Sequence, residues 1–338
     1  MQHAKNIKEF HQDLAEALDD DFLRATLDSF ALAYRAGRTE IFAGMDESGL
    51  IAAVAQAKDA ALDQLEELYA RFRDEAEKRG LIVHRAATAA EANALIIRIA
   101  GETNCRSVVK SKSMTSEEIR LTEALENAGL MVTETDLGEW IIQLRREGPT
   151  HMVMPAIHLS RRQIAELFAQ VTGSAQQPDI NALVKVARRA LRPAFAQADM
   201  GVTGANFAVA ENAVIGLCTN EGNARLVTTL PRVQVALIGL EKLVPSVSEA
   251  LDIIRVLPRN ATAQAVTAYV TWLGGRPNPD QQRHIVFLDN GRSALSKDSA
   301  CRQVLRCVRC GACANVCPVY RLVGGHKMGY VYIGAIGL

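Results

Sequence analysis

LIVHRAATAAEANALIIRIAGETNCRSVVK, residues 81–110, is the stretch of sequence that decides the fold. Its apolar runs at 81–85 and 107–110 have the composition of buried strands. The segment between them is rich in Ala, Leu and Ile and is typical of a helix. A strand, a helix and a second strand in this order predict a parallel sheet covered by helices, which is the α/β class.

The same alternation continues outward to about residue 290. Further strands are predicted at 130–135 (LMVTET), 151–155 (HMVMP), 207–240 (FAVA, AVIGLC, RLVTT and VQVALIGL) and 284–289 (HIVFLD). Capping boxes predict helix starts at Thr115–Glu118, Ser160–Gln163 and Ser246–Glu249. Residues 180–198 are predicted to form a helix that is kinked near Pro193, whereas 261–273 fits a strand or a helix. We expect one α/β domain over residues 80–290.

Residues 1–79 differ in character from this domain. They hold 10 basic and 17 acidic residues, a net charge of −7. Ala, Leu and Glu dominate 50–79, and apolar residues recur there at spacings of three and four. These residues are Leu62, Leu65, Leu68, Tyr69 and Phe72. The pattern predicts a helical N-terminal arm that covers one side of the α/β domain.

Overall composition excludes several classes of protein. The 338 residues are 49% hydrophobic and 22% charged, which is ordinary for a globular chain. Lys and Arg number 38 and Asp and Glu also number 38, and this balance disfavours nucleic-acid binding. The sequence contains no run of about 18 uncharged apolar residues, so no transmembrane helix is predicted. The start of the sequence lacks the apolar stretch of a signal peptide, so we predict a cytoplasmic protein.

Five of the seven cysteines lie between residues 301 and 317. Their spacing, C-x2-C-x2-C-x3-C-P, is that of bacterial ferredoxins. It predicts a [4Fe–4S] site, because closely spaced thiolates in a tight turn can bind separate corners of one cluster. Zinc is disfavoured, since zinc ribbons use two separated cysteine pairs. The predicted ligands are Cys307, Cys310, Cys313 and Cys317, and the arginines expected to favour the anionic cluster without acidic partners are Arg302, Arg306, Arg309 and Arg321.

The remaining cysteines and the end of the sequence refine this prediction. Cys301 is interpreted as a spare, and Cys105 and Cys218 as buried, inert thiols beside strands. In two-cluster ferredoxins the fourth cysteine of such a run binds the other cluster, and no cysteine follows Cys317 here. We therefore predict an incomplete ferredoxin-type segment over 291–338, with an apolar end at 331–338, and expect this chain to hold little intact iron.

Long segments of the sequence resemble the lactate utilization protein B family. They are VVKSKSMTSEEI (108–119), ETDLGEWIIQL (134–144), ADMGVTGANFAVAE (198–211), TNEGNARLVTTLPR (219–232) and RCVRCGACANVCPVYRLVGGHKMGYVY (306–332). The resemblance implies a Rossmann-like, three-layer LUD domain, similar to sugar isomerases and CoA transferases, followed by a ferredoxin module with two [4Fe–4S] clusters. It implies electron transfer in the oxidation of L-lactate to pyruvate. It also implies two partners, a cysteine-rich oxidoreductase subunit and a second LUD-domain protein.

The sequence departs from this family in two respects. Glu211 is followed by Asn212 and Ala213 where relatives have Thr-Gly, so no role is carried over to Glu211. Family members continue past position 338 into a second cysteine run, so the resemblance implies a C-terminally truncated member. No catalytic residue is assigned.

A substrate or anion site is predicted where strand ends meet loops. Lys110 and Lys112 join a strand to a helix start, a position that favours anions such as a carboxylate, a phosphate or a nucleotide. Loops at 203–206 and 220–223 are expected at the same sheet edge. The predicted residues are Lys110, Lys112, Thr203, Asn206, Glu221 and Asn223. The alternative is that Lys112 is solvated, Thr115 only caps a helix and both loops are plain turns.

Other polar residues leave the function open between classes. Asp136 is interpreted as a helix cap and His158 as a hydrogen-bonded loop residue, although either fits a general base. The leading hypothesis is an iron–sulfur electron-transfer subunit. The alternatives are an enzyme of the CoA-transferase or isomerase type, with Glu211 or Glu221 as a covalent carboxylate, and an anion-binding module with structural clusters.

Overall fold

The computed structural model describes residues 6–328 and 334–336. Its helices are α1 (Ile7–Asp19), α2 (Asp21–Ile41), α3 (Glu47–Asp63), α4 (Leu65–Lys78), α5 (Ala89–Glu102), α6 (Met114–Glu118), α7 (Leu121–Asn127), α8 (Leu137–Arg145), α9 (Arg161–Thr172), α10 (Ile180–Gln197), α11 (Asn223–Thr229), α12 (Val247–Thr262), α13 (Arg292–Leu295), α14 (Ala312–Val316) and α15 (Tyr320–Lys327). Short 3-10 helices cover Leu240–Lys242, Arg302–Arg306 and Gly334–Ile336. The predicted apolar end at 331–338 lies largely outside the described residues.

The strands form two sheets. They are β1 (Ile82–Ala86), β2 (Ser107–Lys110), β3 (Met131–Glu134), β4 (Met200–Thr203), β5 (Phe207–Val209), β6 (Val214–Thr219), β7 (Val233–Gly239), β8 (Leu243–Val244), β9 (Tyr269–Leu273) and β10 (Gln282–Leu288). The main sheet has the order β1-β10-β7-β4-β2-β3, and every neighbouring pair is parallel. The predicted α/β class is therefore confirmed.

Helices cover both faces of the main sheet. Strand β7 is buried along its whole length, because α4 packs on one face and α5 and α7 pack on the other. The apolar stripe of α4 that the sequence predicted lies against this sheet, where the ring of Phe72 meets that of Phe287 at a centroid distance of 5.0 Å. The result is three layers with a continuous apolar core.

A smaller sheet, β8-β5-β6-β9, lies beside the main one and contains antiparallel pairs. The sequence did not distinguish it from the parallel sheet. Its packing depends on Gly216, because a Cβ at this position would lie 1.9 Å from the ring of Phe207. Only glycine permits this close approach, which places the aromatic ring across the strand pair.

Three local predictions were wrong. Residues 151–155 form a turn, because the buried imidazole of His151 accepts hydrogen bonds at Nδ1 from the backbone N–H groups of Val153 (3.1 Å) and Met154 (3.4 Å). RLVTT belongs to α11, whose buried residues follow helical spacing. Helix α6 starts earlier than predicted, because Ser113 rather than Thr115 caps it.

Other local predictions are confirmed. Ser160 and Ser246 both form capping boxes. The predicted helix at 180–198 is α10, but it continues through Pro193 in helical conformation, without a break. The ambiguous 261–273 segment contains the end of α12 and then β9. None of the helices in the described part of the chain is long and apolar enough to cross a bilayer.

The N-terminal helices pack on the segment that carries the cysteines as well as on the sheet. Helices α1 and α2 contact α15, and an apolar cluster joins Leu14, Leu23 and Leu27 to Val323. Acidic side chains of the arm pair with basic side chains of the tail, each at 2.6 Å. These pairs are Asp63–Arg302, Asp59–Arg306, Asp28–Arg321 and Asp13–Lys327. The expectation that the tail arginines lack acidic partners was therefore wrong.

Candidate functional site

The cysteine loop begins where the 3-10 helix Arg302–Arg306 ends. Arg309 and Gly311 adopt left-handed φ angles of 60° and 82°, and they reverse the chain between successive cysteines. Backbone N–H groups consequently point at sulfur: Arg309 donates to Cys307 Sγ at 3.4 Å, and Tyr320 donates to Cys317 Sγ at 3.5 Å. Such N–H donors stabilise thiolates and cluster sulfurs.

The remaining two cysteines of the run also receive backbone donors. Ala312 N–H faces Cys310 and Ala314 N–H faces Cys313. Burial raises the pKa of both thiols, and the neighbouring sulfurs of Cys307 and the other loop cysteines raise it further. Binding of a metal to these thiols is therefore coupled to the release of protons. The donor set of four thiols with aligned N–H groups fits an iron–sulfur cluster.

This arrangement does not resemble a site for a single metal ion. Among residues 6–328 and 334–336, no three His, Cys, Asp or Glu side chains are placed to hold one ion together. A cubane makes a different demand, because each thiolate binds a separate iron. Cys301 is exposed, Cys105 is buried and Cys218 is half-buried. Burial raises the pKa of Cys218 to about 12, which keeps this thiol protonated and unreactive.

A cluster of buried charges lies behind the cysteine loop. Glu118 accepts from Arg292 at 2.7 Å and from Arg309 at 2.8 Å, and Glu241 accepts from Arg292 Nε. Arg309 is thus held in its left-handed conformation by ion pairs. Two buried lysines complete the cluster. Burial and the charge of Lys242 lower the pKa of Lys58 to about 7, and burial also lowers the pKa of Lys242.

A cavity of about 350 Å³ lies between the strand-end loops and the cysteine loop. Its walls follow the carboxyl ends of four neighbouring strands, β7, β4, β2 and β3, which is where ligands bind in open α/β sheets. Cys310 and Lys242 line it together with four of the six residues in the predicted anion site. Those four are Lys112, Asn206, Glu221 and Asn223.

Polar groups in this cavity keep unused hydrogen-bonding capacity. The ammonium of Lys112 lies 3.2 Å from Glu139 Oε1, yet within the described residues its buried nitrogen has no partner in hydrogen-bond geometry. Asn206 Oδ1 accepts from the N–H of Cys218 at 2.8 Å, and its amide NH2 remains available. Asn223 donates to Thr135 Oγ1 at a long 3.4 Å. The cavity therefore presents cationic and amide donors.

Lys110 and Thr203 do not line this cavity. The Lys110 side chain is 1% exposed and lies 3.0 Å from Glu134 and 3.1 Å from Glu117. Burial raises the pKa of Glu134 despite the adjacent ammonium. Thr203 is fully buried and accepts from Gln234 Nε2 at 3.1 Å. The Lys110–Glu134 contact joins β2 to β3, and the Thr203–Gln234 contact joins β4 to β7.

The two interpretations of Asp136 and His158 agree with the structure. Asp136 caps α8 by accepting from the N–H groups of Gly138 (3.0 Å) and Glu139 (3.2 Å). His158 Nε2 lies 2.9 Å from Glu147, and its Nδ1 lies 2.5 Å from the Thr150 hydroxyl. Both ring nitrogens of His158 are thus engaged, whereas Asp136 caps the helix through Oδ1 and also lines the cavity.

Sequence reasoning missed Lys242, Glu241 and Glu118. The first two directly follow the carboxyl end of β7, one of the central strands. That position was a usable signal, because strand-end loops of one parallel sheet share an edge. Glu118 gave no signal beyond its place in a helix, since its partners Arg292 and Arg309 are more than 170 residues away.

Comparison with known proteins follows this division of the chain. Residues 69–291 match the LUD domain and residues 303–337 match the 4Fe-4S dicluster domain, which defines the class of protein. Lactate utilization protein B of Bacillus licheniformis is 39% identical over 337 residues, covering 98% of this chain and 70% of that protein. The Geobacillus kaustophilus protein of the same name is 41% identical, with 97% and 70% covered. The chain belongs to the lactate utilization protein B family.

Two further likenesses were found. The uncharacterized electron transport protein YkgF of Escherichia coli is 42% identical over 288 residues, covering 84% of this chain and 60% of that protein. The crystal structure of a DUF162 family protein from Deinococcus radiodurans is 16% identical and has a TM-score of 0.37, covering 66% of this chain and 98% of that chain.

Proposed function

We propose that this protein transfers single electrons during the oxidation of L-lactate to pyruvate. The observation that carries the proposal is the loop of four cysteines, with backbone N–H groups directed at sulfur, inside the matched 4Fe-4S domain. A [4Fe–4S] cluster, when bound, supplies one-electron chemistry. The names of the relatives, lactate utilization protein B and electron transport protein, support the lactate and electron-transfer parts.

The chain's own residues have distinct tasks in this proposal. The four thiols, Cys307, Cys310, Cys313 and Cys317, lose their protons and bind iron. The buried ring of Tyr320 and the side chain of Met152 pack beside this loop and give it an apolar wall. Cys310 also lines the cavity, so a ligand in the cavity lies next to the cluster.

The cavity is the proposed binding site for the carboxylate. Lys112 supplies the positive charge, and Asn206 and Asn223 supply amide groups. Glu221 lies at the exposed rim. Lys110 and Thr203 keep a supporting role: the carbonyl of Lys110 accepts from Thr135, whose hydroxyl in turn receives the Asn223 amide. These hydrogen bonds connect the end of β2 to Asn223, whose amide is proposed to bind the carboxylate.

The domain boundaries and partners complete the proposal. The arm at 1–79, the LUD-type domain at 80–290 and the ferredoxin-type segment at 291–338 act as one electron-transfer subunit. Its partners are a cysteine-rich oxidoreductase subunit and a second LUD-domain protein. The names of the relatives fit a lactate utilization system of this kind.

Anaerobic reconstitution with iron and sulfide tests the iron–sulfur part. The reduced sample is expected to show the electron paramagnetic resonance signal of a [4Fe–4S] cluster, and Cys310→Ser is expected to abolish it. Cys301→Ser is the matched control, because Cys301 is exposed and outside the run. Equal iron binding by Cys310→Ser and the wild type would refute the proposed ligands. Iron that survives desalting at four per chain would refute the expectation of weak retention.

Calorimetry with L-lactate tests the binding site on the same chain. Lys112→Met is expected to weaken binding by about tenfold or more, because it removes the cationic group from a mostly buried cavity. Lys185→Met, which removes an exposed charge on α10, is the control. Equal affinities for both variants would exclude this cavity as the carboxylate site. Reduction of the cluster by L-lactate in the presence of both partners would then test the overall reaction.

A second candidate function keeps one supporting observation. Glu221 lines the cavity and would be the covalent carboxylate of an enzyme of the CoA-transferase type. Glu221 is favoured over Glu211, because Glu211 does not line the cavity and its Oε1 accepts from the N–H of Val247 at 2.8 Å. Incubation with an acyl-CoA followed by hydroxylamine trapping distinguishes the two functions. Modification of Glu221 would favour the transferase.

A further inference from the structure

The buried charges behind the cysteine loop do not balance. Among the described residues, four cations and two carboxylates share this space, and with every group charged their formal sum is two positive charges. The cations are Lys58, Lys242, Arg292 and Arg309, and the carboxylates are Glu118 and Glu241. Lys58 is 2% exposed and Lys242 is 4% exposed, so water does not compensate the excess.

An excess of buried positive charge is costly without a counter-charge. Within the described residues, Lys58 donates to the backbone carbonyl of Glu241. Lys242 lines the cavity, and the charge of its neighbour Glu241 attracts it. The arginines already share both carboxylates. The fold therefore leaves two buried ammonium groups in need of an anion.

The nearest group that can supply negative charge is the cysteine loop. Lys242 lines the same cavity as Arg309 and Cys310. Asp59, the neighbour of Lys58 on α3, pairs at 2.6 Å with Arg306, which directly precedes Cys307. Arg309 lies between Cys307 and Cys310 in sequence and reaches back to Glu118 and Glu241. An oxidised [4Fe–4S] cluster with four thiolates carries about two negative charges, which equals the excess in size and is opposite in sign.

We propose that Lys58 and Lys242 are positioning residues that provide the buried counter-charge of the cluster, and that they set its retention and its reduction potential. This inference rests on the proposed function, since it requires a cluster at the four cysteines. It extends that function to two lysines, one in the N-terminal arm and one after β7, that bind no iron themselves.

The proposal predicts that removing a lysine charge disfavours the reduced cluster in the loaded protein but stabilises the protein without a cluster. With the cluster bound, neutralising a lysine removes an attraction that grows when the cluster gains an electron. The reduced form is then disfavoured and the potential falls. Without the cluster, the same substitution removes an uncompensated buried charge, and the apoprotein becomes more stable. A residue with only a packing role would destabilise both states.

Lys242→Met tests these signs on the full chain. Thermal unfolding of the apoprotein is expected to show a higher Tm than the wild type. In anaerobic redox titrations of reconstituted protein, the ratio of oxidised to reduced cluster at one fixed potential is expected to rise about tenfold. Arg302→Met is the matched control, because Arg302 is partly exposed and already paired with Asp63. Glu241→Gln adds to the excess and is expected to shift both quantities in the opposite direction.

Three results would overturn the inference. The first is a lower apoprotein Tm in Lys242→Met, and the second is a potential equal to that of the Arg302→Met control. The third is stabilisation of the wild type, but not of Lys242→Met, by L-lactate with an unchanged potential, which would assign Lys242 to the cavity ligand. A wild type that takes up no iron even during anaerobic reconstitution refutes the proposed function itself, and iron uptake is measured first for that reason.

Discussion

At the scale of single residues, the cysteine spacing could be interpreted from the sequence, whereas the role of the buried His151 ring could not. The four cysteines were predicted as ligands from spacing alone, because cluster binding imposes that spacing. His151 shows the opposite case. Its apolar neighbours suggested a strand, but its ring accepts two backbone N–H groups and folds the chain into a turn. Whether residues 151–155 form a strand or a turn depends on the buried position of this ring, which the neighbouring sequence does not reveal.

His151 also predicts a pH dependence of stability. Burial, together with the charge of Lys112, lowers the pKa of His151 to about 3. An unfolded histidine has a pKa near 6.5, so the unfolded state binds more protons as the pH falls below that value. Stability is therefore present above about pH 6.5 and is lost progressively toward pH 3. At pH 5 the loss from this group is about 2 kcal/mol.

His151→Asn isolates this contribution, because the amide oxygen can still accept the turn N–H groups but does not titrate. Urea unfolding at pH 7 and pH 5 is expected to show a loss about 2 kcal/mol smaller in the variant than in the wild type. Other buried histidines, such as His284, titrate in both proteins and cancel in the difference. Parallel losses in both proteins would contradict the buried, neutral state of His151.

At the scale of elements, the hydrophobic pattern predicted strands correctly where a strand is buried along nearly its whole length. Strands β7 and β10 were recognised because helices cover both faces of the sheet and select continuous apolar runs. Helix α11 was missed because Leu226 and Leu230 are exposed and obscure its helical pattern. The start of α6 was misplaced by two residues because Ser113 and Thr115 are both acceptable caps, and only the backbone conformation selects between them.

Helix α12 offers a test of capping at this scale. Ser246 Oγ accepts from the N–H of Ser248 at 3.1 Å, and Glu249 reaches back to the N–H of Ser246 at 3.0 Å. Ser246→Ala is expected to lower the free energy of unfolding by about 1 kcal/mol. Ser248→Ala, an exposed substitution in the same turn, is the control and should change it little. Equal effects in urea unfolding would show that the cap does not stabilise α12.

At the scale of the whole molecule, the acidic N-terminal arm and the basic C-terminal tail pack against each other and form an interface within the chain. The acidic arm was predicted to cover the α/β domain, and it does so through α4. Its pairing with the basic tail was not predicted, because Asp13 and Lys327 are 314 residues apart and no local pattern links them. Four of the six residues of the predicted anion site line the cavity, because strand-end positions follow from topology. The direction of Lys110 instead follows from its buried glutamates.

The arm–tail interface should respond to salt. Lys327 and Asp13 are partly exposed, so a double-mutant cycle with alanine at both positions is expected to give a coupling of about 0.5 kcal/mol at low salt. At 1 M salt the screening length is about 3 Å, and this coupling should approach zero. The more deeply buried pair Arg292–Glu118 should retain its coupling under both conditions. Equal salt sensitivity of the two pairs would contradict this division.

Contact between the first helices and α15 has a consequence for synthesis on the ribosome. The apolar side chains of Leu14, Leu23 and Leu27 that meet Val323 are made about 300 residues before their partner. At roughly 5–20 residues per second, they wait on the order of 15–60 s for it to emerge. Helices α1 and α2 are thus translated first but complete their packing last, and they complete it only once the cysteine loop has also left the ribosome.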